Sequence, residues 1–112
     1  MFPNQDMVYP DEVLLDIRRT LTMSEFTVLG KLYEEIEAKK SQGDFPACLP
    51  TEIAQQLRMN GSSIRAVVSK LEGAGIIKTS PGFSDARTRV IELRQNAYRL
   101  RDLMNEEGIT NV

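Results

Sequence analysis

The sequence predicts a mainly α fold with a small β-hairpin (α+β), and three observations carry that prediction. Apolar residues recur at helical spacing in four successive segments between Asp11 and Leu71. After Gly73 and Gly75 the period changes: Ile76-Ile77-Lys78-Thr79 and Thr88-Arg89-Val90-Ile91-Glu92-Leu93 are rich in β-branched residues and flank the turn-forming run Pro81-Gly82-Phe83-Ser84-Asp85. A last helical pattern, with Tyr98, Leu100, Leu103 and Met104, runs from Ala97 to Glu107. At 112 residues the chain has room for one hydrophobic core and no second folded domain.

Each element has its own local cause. Residues 1–10 hold two prolines and little periodicity and read as an irregular arm. From Asp11 to Thr20, acids come first and Arg18-Arg19 last, the order that opposes a helix dipole, with Val13, Leu14 and Ile17 on one face. Thr22 followed three positions later by Glu25 is a capping box. It opens a second helix whose expected core stripe is Met23, Phe26, Leu29, Leu32, Tyr33 and Ile36. That helix should fray through Lys39 and Lys40 into the loop Ser41–Pro46. Leu49-Pro50-Thr51-Glu52 starts a third helix, with proline in the first turn, where its missing amide is no loss, and Ile53, Ala54 and Leu57 inward. Asn60 is placed to cap a fourth helix, 61–73, with Ile64, Val67, Val68 and Leu71 on its inner side and Gly75 as a left-handed end. Residues 76–93 are then the hairpin, and 108–112 a loose tail.

Composition removes several function classes. Cys48 is the only cysteine and there is no histidine, so an intramolecular disulfide, the familiar zinc spacings and a Ser/His/Asp or Cys/His centre are all excluded. Glu34, Glu35 and Glu37 form a charged run that reads as the wet face of a helix rather than a catalytic pair. Neither a metal nor a cofactor is expected, and the chain is expected not to be an enzyme. Cys48, with nothing basic close in sequence, reads as a quiet thiol rather than an oxidation sensor. No apolar run approaches the roughly 20 residues of a membrane span, and the N-terminus lacks a basic-then-apolar signal, so a cytoplasmic protein with no membrane partner is expected.

Charge is unevenly distributed. The net charge is -2, yet residues 58–101 hold nine basic against three acidic residues, and the remainder five against thirteen. A basic region inside an acidic protein is the footprint of one face that meets phosphate. Its centre is two short helices joined at Arg58-Met59-Asn60-Gly61 and followed at once by a hairpin, a winged helix-turn-helix with flanking terminal helices. The second helix of such a pair enters the major groove of DNA. Its expected outward residues are Ser62, Ser63, Arg65, Ala66, Ser69 and Lys70. Serines bond phosphates or base edges, Arg65 can bond guanine bidentately, Ala66 can meet a thymine methyl, and Lys70 can neutralise phosphate. The free amides at Gly61–Ser63 add a phosphate site at the helix N-terminus. On the hairpin, Lys78, Arg87 and Arg89 are the candidate DNA contacts.

Glu52-Ile53-Ala54-Gln55-Gln56-Leu57, Ser62-Ser63-Ile64, Lys70-Leu71-Glu72, Gly75-Ile76-Ile77 and Asp85-Ala86-Arg87-Thr88-Arg89 before Leu93 together resemble the winged-helix core of the MarR family of transcriptional regulators, over roughly residues 49–95. The Asp-x-Arg in the wing after a Leu-Glu-x-x-Gly helix end is the most specific part. The resemblance implies a homodimer on pseudo-palindromic double-stranded DNA, recognition helices in major grooves and wings toward the adjacent minor grooves. It also implies that Asp85 and Arg87 shape and anchor the wing. The chain is shorter than most of that family, whose extra length lies mainly in terminal dimerisation helices and an effector pocket, so a small-molecule effector is left open. The wing tip Ser80–Ser84 lacks the basic residues that relatives often carry, which puts minor-groove contact on Arg87 or Arg89; Phe83 either inserts into a groove or partner or folds back on the hairpin. Helices 11–20 and 97–107 offer Val13, Leu14, Ile17, Tyr98, Leu100, Leu103 and Met104, more apolar surface than a three-helix core is expected to cover, and are expected to form the dimer seam. Two alternatives stay open: a winged-helix protein-interaction module, which would have no need of the basic cluster, and a plasmid or phage replication or partition factor.

Overall fold

Helix α2 (Met23–Ser41) is the element around which the others are laid. In the computed structural model, which describes residues 7–82 and 88–106, it is preceded by α1 (Asp11–Thr20) and followed by α3 (Pro50–Leu57), α4 (Gly61–Gly73), β1 (Ile77–Pro81), β2 (Arg89–Leu93) and α5 (Gln95–Glu106). The mainly α fold with one antiparallel hairpin is thus the observed one.

Local chemistry sets the helix starts. Thr22 and Glu25 close the expected capping box: the Glu25 amide donates to Thr22 Oγ1 at 3.3 Å, and the Thr22 amide donates to Glu25 Oε1 at 2.8 Å. Glu52 Oε1 accepts from the Leu49 amide at 2.8 Å, and Asn60 Oδ1 accepts from the Ser63 amide at 2.8 Å. Lys39 ties the end of α2 to the start of α3, donating to the Ala47 carbonyl at 2.8 Å and pairing with Glu52 at 3.3 Å.

The core lies where α2 meets every other layer. Val28, Leu29, Leu32 and Ile36 are fully buried, against Ile53 of α3, Leu71 of α4, Ile76, Ile77 and Ile91 of the hairpin region, and Leu14 and Leu100 of the terminal helices. Two expectations need correction here. Met23, placed in the α2 stripe from its spacing, is 80% exposed: it sits at the first helical position, outside the packed length, and Val28 carries the buried face instead. More consequentially, Leu14, Leu100, Leu103 and Met104 are not surplus apolar surface. α1 packs along α5, and all four side chains are buried within the protomer. Of the set offered as a seam only Val13 is exposed, with Ile17 and Tyr98 half-buried.

β1 and β2 pair in the register Ile77↔Leu93, Thr79↔Ile91 and Pro81↔Arg89, so the hairpin starts one residue later and β1 runs two residues further than the β-branched pattern indicated. A single bridge between Cys48 and Ile91 lays the segment before α3 against β2, with mutual backbone bonds of 2.9 and 2.7 Å. α5 begins at Gln95, two residues before the expected Ala97, and Asn96 in its first turn is drawn inside. At 2% exposure, Asn96 accepts from the Tyr9 amide at 2.8 Å and donates through Nδ2 to the Gly75 carbonyl at 3.0 Å.

Gly75 ends α4 with φ +79°, its amide donating to the Glu72 carbonyl and the Ile76 amide to Leu71. The left-handed backbone disfavours any other residue, and a Cβ would stand 2.6 Å from the Tyr9 hydroxyl oxygen. Gly75→Ala should therefore cost a net of about 1–3 kcal/mol and lower Tm by roughly 5–15 °C, read by thermal circular dichroism. An unchanged Tm would mean that the arm does not rest on this helix end.

Candidate nucleic-acid interface

The outer side of α4 is built by exclusion. Ile64, Val67 and Leu71 face the core at helical spacing, so Ser62, Ser63, Arg65, Ala66, Ser69 and Lys70 must face outward, and all six are exposed. The Asn60 cap leaves the first turn of α4 open to solvent, with Ser62 Oγ donating to Asn60 Oδ1 at 2.9 Å. Arg65 folds its guanidinium back toward the start of the helix, where a Cβ on Gly61 would lie 3.3 Å from Nη1. The lack of a side chain at Gly61 gives Arg65 that room.

The turn ahead of α4 holds a residue that the sequence reading passed over. Arg58 ends α3 in the left-handed region, φ 56°, and is exposed at the junction of the two helices. A non-glycine residue there costs about 1–2 kcal/mol, and the Met59 amide bond to the Ala54 carbonyl at 2.9 Å holds the reversal. The signal was visible only as a basic residue in a short inter-helix connection.

Across from α4, the hairpin presents Arg89. Its Nη2 donates to the Thr79 carbonyl at 3.0 Å and to Thr79 Oγ1 at 2.9 Å, and Thr79 Oγ1 donates to Glu72 Oε2 at 2.9 Å. The base of the wing is thereby tied to the last turn of α4. Arg65 and Arg89 line the same open cleft of about 480 Å³, floored by Ala54, Met59 and Ile64. Lys78 is half-buried on β1 opposite Glu92. Arg87, with Asp85 and Phe83, lies outside the described residues.

The basic segment of the sequence is divided by the fold. Arg99 pairs with Asp11 at 2.8 Å and Glu106 at 3.3 Å, which holds the Asp11 carboxyl below its usual range and raises the guanidinium. Arg101 lies over the rings of Tyr33 and Tyr98 and 3.9 Å from Glu37. Arg94 donates to the Ile77 carbonyl. These three serve α5 and its neighbours. Lys70 is also engaged, pairing with Glu25 at 2.8 Å and donating to the Thr20 carbonyl at 2.8 Å. Burial raises the Glu25 carboxyl, but bonds from Lys70 and Thr22 outweigh it and leave the group below its usual range. Among the described residues, Arg58, Arg65 and Arg89 are the exposed arginines at the helix-turn-helix and wing.

No protein-family model and no curated protein matches this chain. Solved structures do. The S. aureus MepR–DNA complex superposes with a TM-score of 0.66 at 20% identity, over 86% of this chain and 69% of that one. Thermotoga maritima transcriptional regulator Tm0710 gives 0.63 at 20%, over 85% and 63%, and an E. coli MarR mutant complexed with operator DNA gives 0.59 at 16%, over 87% and 66%. The fold is the winged helix of these regulators. The winged-helix chain spans about two thirds of their length. Its helix-turn-helix is therefore α3–α4, and its wing is β1–β2. Among the described residues no helix is long and apolar enough to cross a membrane.

Cys48 sits beneath the wing at 1% exposure, its thiol pushed up by burial to about 11. At pH 8 only about one thiol in a thousand would be ionised, against about one in four for a free cysteine. Alkylation of the native winged helix at pH 8 should run at least about a hundredfold slower than in denaturant, as followed by mass spectrometry. Equal rates would show that the segment before α3 opens readily.

Proposed function

We propose that this protein is a MarR-type transcriptional regulator that binds double-stranded DNA sequence-specifically as a homodimer in the cytoplasm, and that it is not an enzyme. The observation that carries the reading is the outward face of α4, where Ser62, Ser63, Arg65, Ala66 and Ser69 stand exposed beside the wing that presents Arg89. The helix enters the major groove. The Ser63 amide is taken by the Asn60 cap, so the amides of Gly61 and Ser62 bond a phosphate; Arg65 reads a base edge, Ala66 and the serines follow the groove floor, and the wing lies on the flanking backbone or minor groove through Arg89, with Lys78 and Arg87 as further contacts. Two solved winged helices of the same fold are complexes with DNA, MepR and MarR, which supports the same use of the fold here. A small-molecule effector is left open.

Duplex binding should be steeply salt-dependent, weakening by orders of magnitude between roughly 50 and 200 mM salt. On a selected site, Arg65→Ala should cost about 1–3 kcal/mol and flatten the preference for that site over random duplex. Fluorescence anisotropy on both duplexes reads this. No binding to any genomic fragment at low salt would favour the protein-interaction module instead, and an unchanged specificity ratio for Arg65→Ala would move base reading to another residue.

The dimer, in this reading, uses the terminal layer: residues 11–107 are one domain, with residues 1–10 as arm and 108–112 as tail. With Leu14, Leu100, Leu103 and Met104 already inside the protomer, the exposed large apolar side chains of the arm and α1 among the described residues, Met7, Val8 and Val13, are the surface offered to a second copy. A two-fold axis there would set recognition helices on half-sites about 10 base pairs apart. Val13→Glu should shift sedimentation from dimer to monomer at micromolar concentration without lowering helical content. A dimer that survives the substitution would place the seam elsewhere.

A further inference from the structure

Lys70 lies on the face of α4 read as DNA-binding, yet its ammonium is turned toward the protein. It donates to the Thr20 carbonyl at 2.8 Å and pairs with Glu25 Oε1 at 2.8 Å. Thr20 is the last residue of α1, where unpaired carbonyls carry the negative end of the helix dipole. The same Glu25 oxygen accepts the Thr22 amide and so closes the start of α2. One ammonium thus joins three elements: the end of α1, the cap of α2 and the last turn of α4.

We propose that Lys70 is a positioning residue, which seats the recognition helix against the α1–α2 corner and acts on DNA through that seating rather than by touching phosphate. The proposal rests on the reading of α4 as the recognition helix. The two bonds already made by the ammonium decide between the two roles. The Lys70 side chain is 39% exposed, but its partner Glu25 is only 12% exposed. A lysine that swung out to a phosphate would give up both the Glu25 carboxylate and the Thr20 carbonyl, leaving the end of α1 and the cap of α2 without their shared cation. A phosphate anchor works best when its ammonium is free in water before binding; this one is held. Because α1 packs along α5, the same bond also fixes α4 relative to the terminal helices, so the spacing between two recognition helices in a dimer depends on it.

The two roles predict opposite signs for a change at Glu25, which never meets DNA in either case. The test compares full-length wild type, Lys70→Met, Glu25→Gln and the double variant on one selected duplex over a salt series, with thermal unfolding of each. Glu25→Gln keeps an oxygen for the Thr22 amide and removes only the charge. For a positioning residue, each single change weakens binding by about three- to tenfold and the double change is no worse than the weaker single. The slope of log K against log salt stays at the wild-type value. For a phosphate anchor, Lys70→Met makes the slope shallower by about 0.9 per protomer, and Glu25→Gln, by freeing the lysine, binds as tightly as wild type or more so; either result overturns the proposal. Should Lys70→Met lose its helical circular dichroism, Lys70→Gln takes its place in the comparison. Wild-type protein that binds no duplex overturns the DNA-binding reading and the positioning role with it, whereas wild-type binding with a tighter Glu25→Gln overturns the positioning role alone.

Discussion

The end of α4 at Gly75 is the constraint on which the rest of the structure depends. A chain leaving a helix in the left-handed conformation turns sharply, and here that turn delivers Ile76 and Ile77 directly into the core as β1 begins. The turn at Gly75, together with the Thr79–Glu72 bond, sets the base of the wing against α4. Asn96 then fastens the turn by taking the Gly75 carbonyl and the Tyr9 amide, so the end of α4, the arm and the start of α5 share one buried amide. A buried amide with both ends bonded is stable only as a unit; loss of either partner leaves a polar group unsatisfied at about 1–3 kcal/mol.

The apportioning of basic residues is a second consequence of packing. Nine cations in one stretch of sequence look like a single electrostatic feature. In the fold, the C-terminal ones turn to α5, where Arg99 bridges Asp11 and Glu106 and Arg101 covers tyrosine rings. Among the described residues, the exposed arginines left for a polyanion at the helix-turn-helix and wing are Arg58, Arg65 and Arg89. An interface built this way carries less non-specific charge than the sequence implies and leans more on how accurately α4 is seated. The Thr79–Glu72 and Lys70–Glu25 bonds act on that seating from the two flanks of the helix.

The helix starts and stops were legible in the sequence because they are decided within four residues. Thr22 and Glu25, Asn60 and Ser63, and Gly75 each act on backbone groups next to them, and such short-range chemistry leaves a readable pattern. The outward positions of α4 were legible for the same reason: with Ile64, Val67 and Leu71 inside, a period of 3.6 residues leaves only one other side. Met23 was misplaced because periodicity does not say where packing along a helix begins. The terminal helices were misjudged because Leu14, Leu100, Leu103 and Met104 look like surplus until α1 and α5 are known to cover each other.

The sequence by itself determined the order of elements, the capped ends of the helices, the residues that α4 turns outward and the absence of histidine chemistry, all properties of single residues or of neighbours along the chain. Only the tertiary structure decided which cations remain at the helix-turn-helix and wing, that Lys70 faces Glu25 and Thr20, that Asn96 is a buried clamp and that Cys48 lies sealed under the wing. Each of these last depends on partners far apart in sequence, such as Asn96 with Tyr9 and Lys70 with Thr20. Periodicity and local propensity carry no information about which distant surface a side chain will meet; that is settled when the core closes.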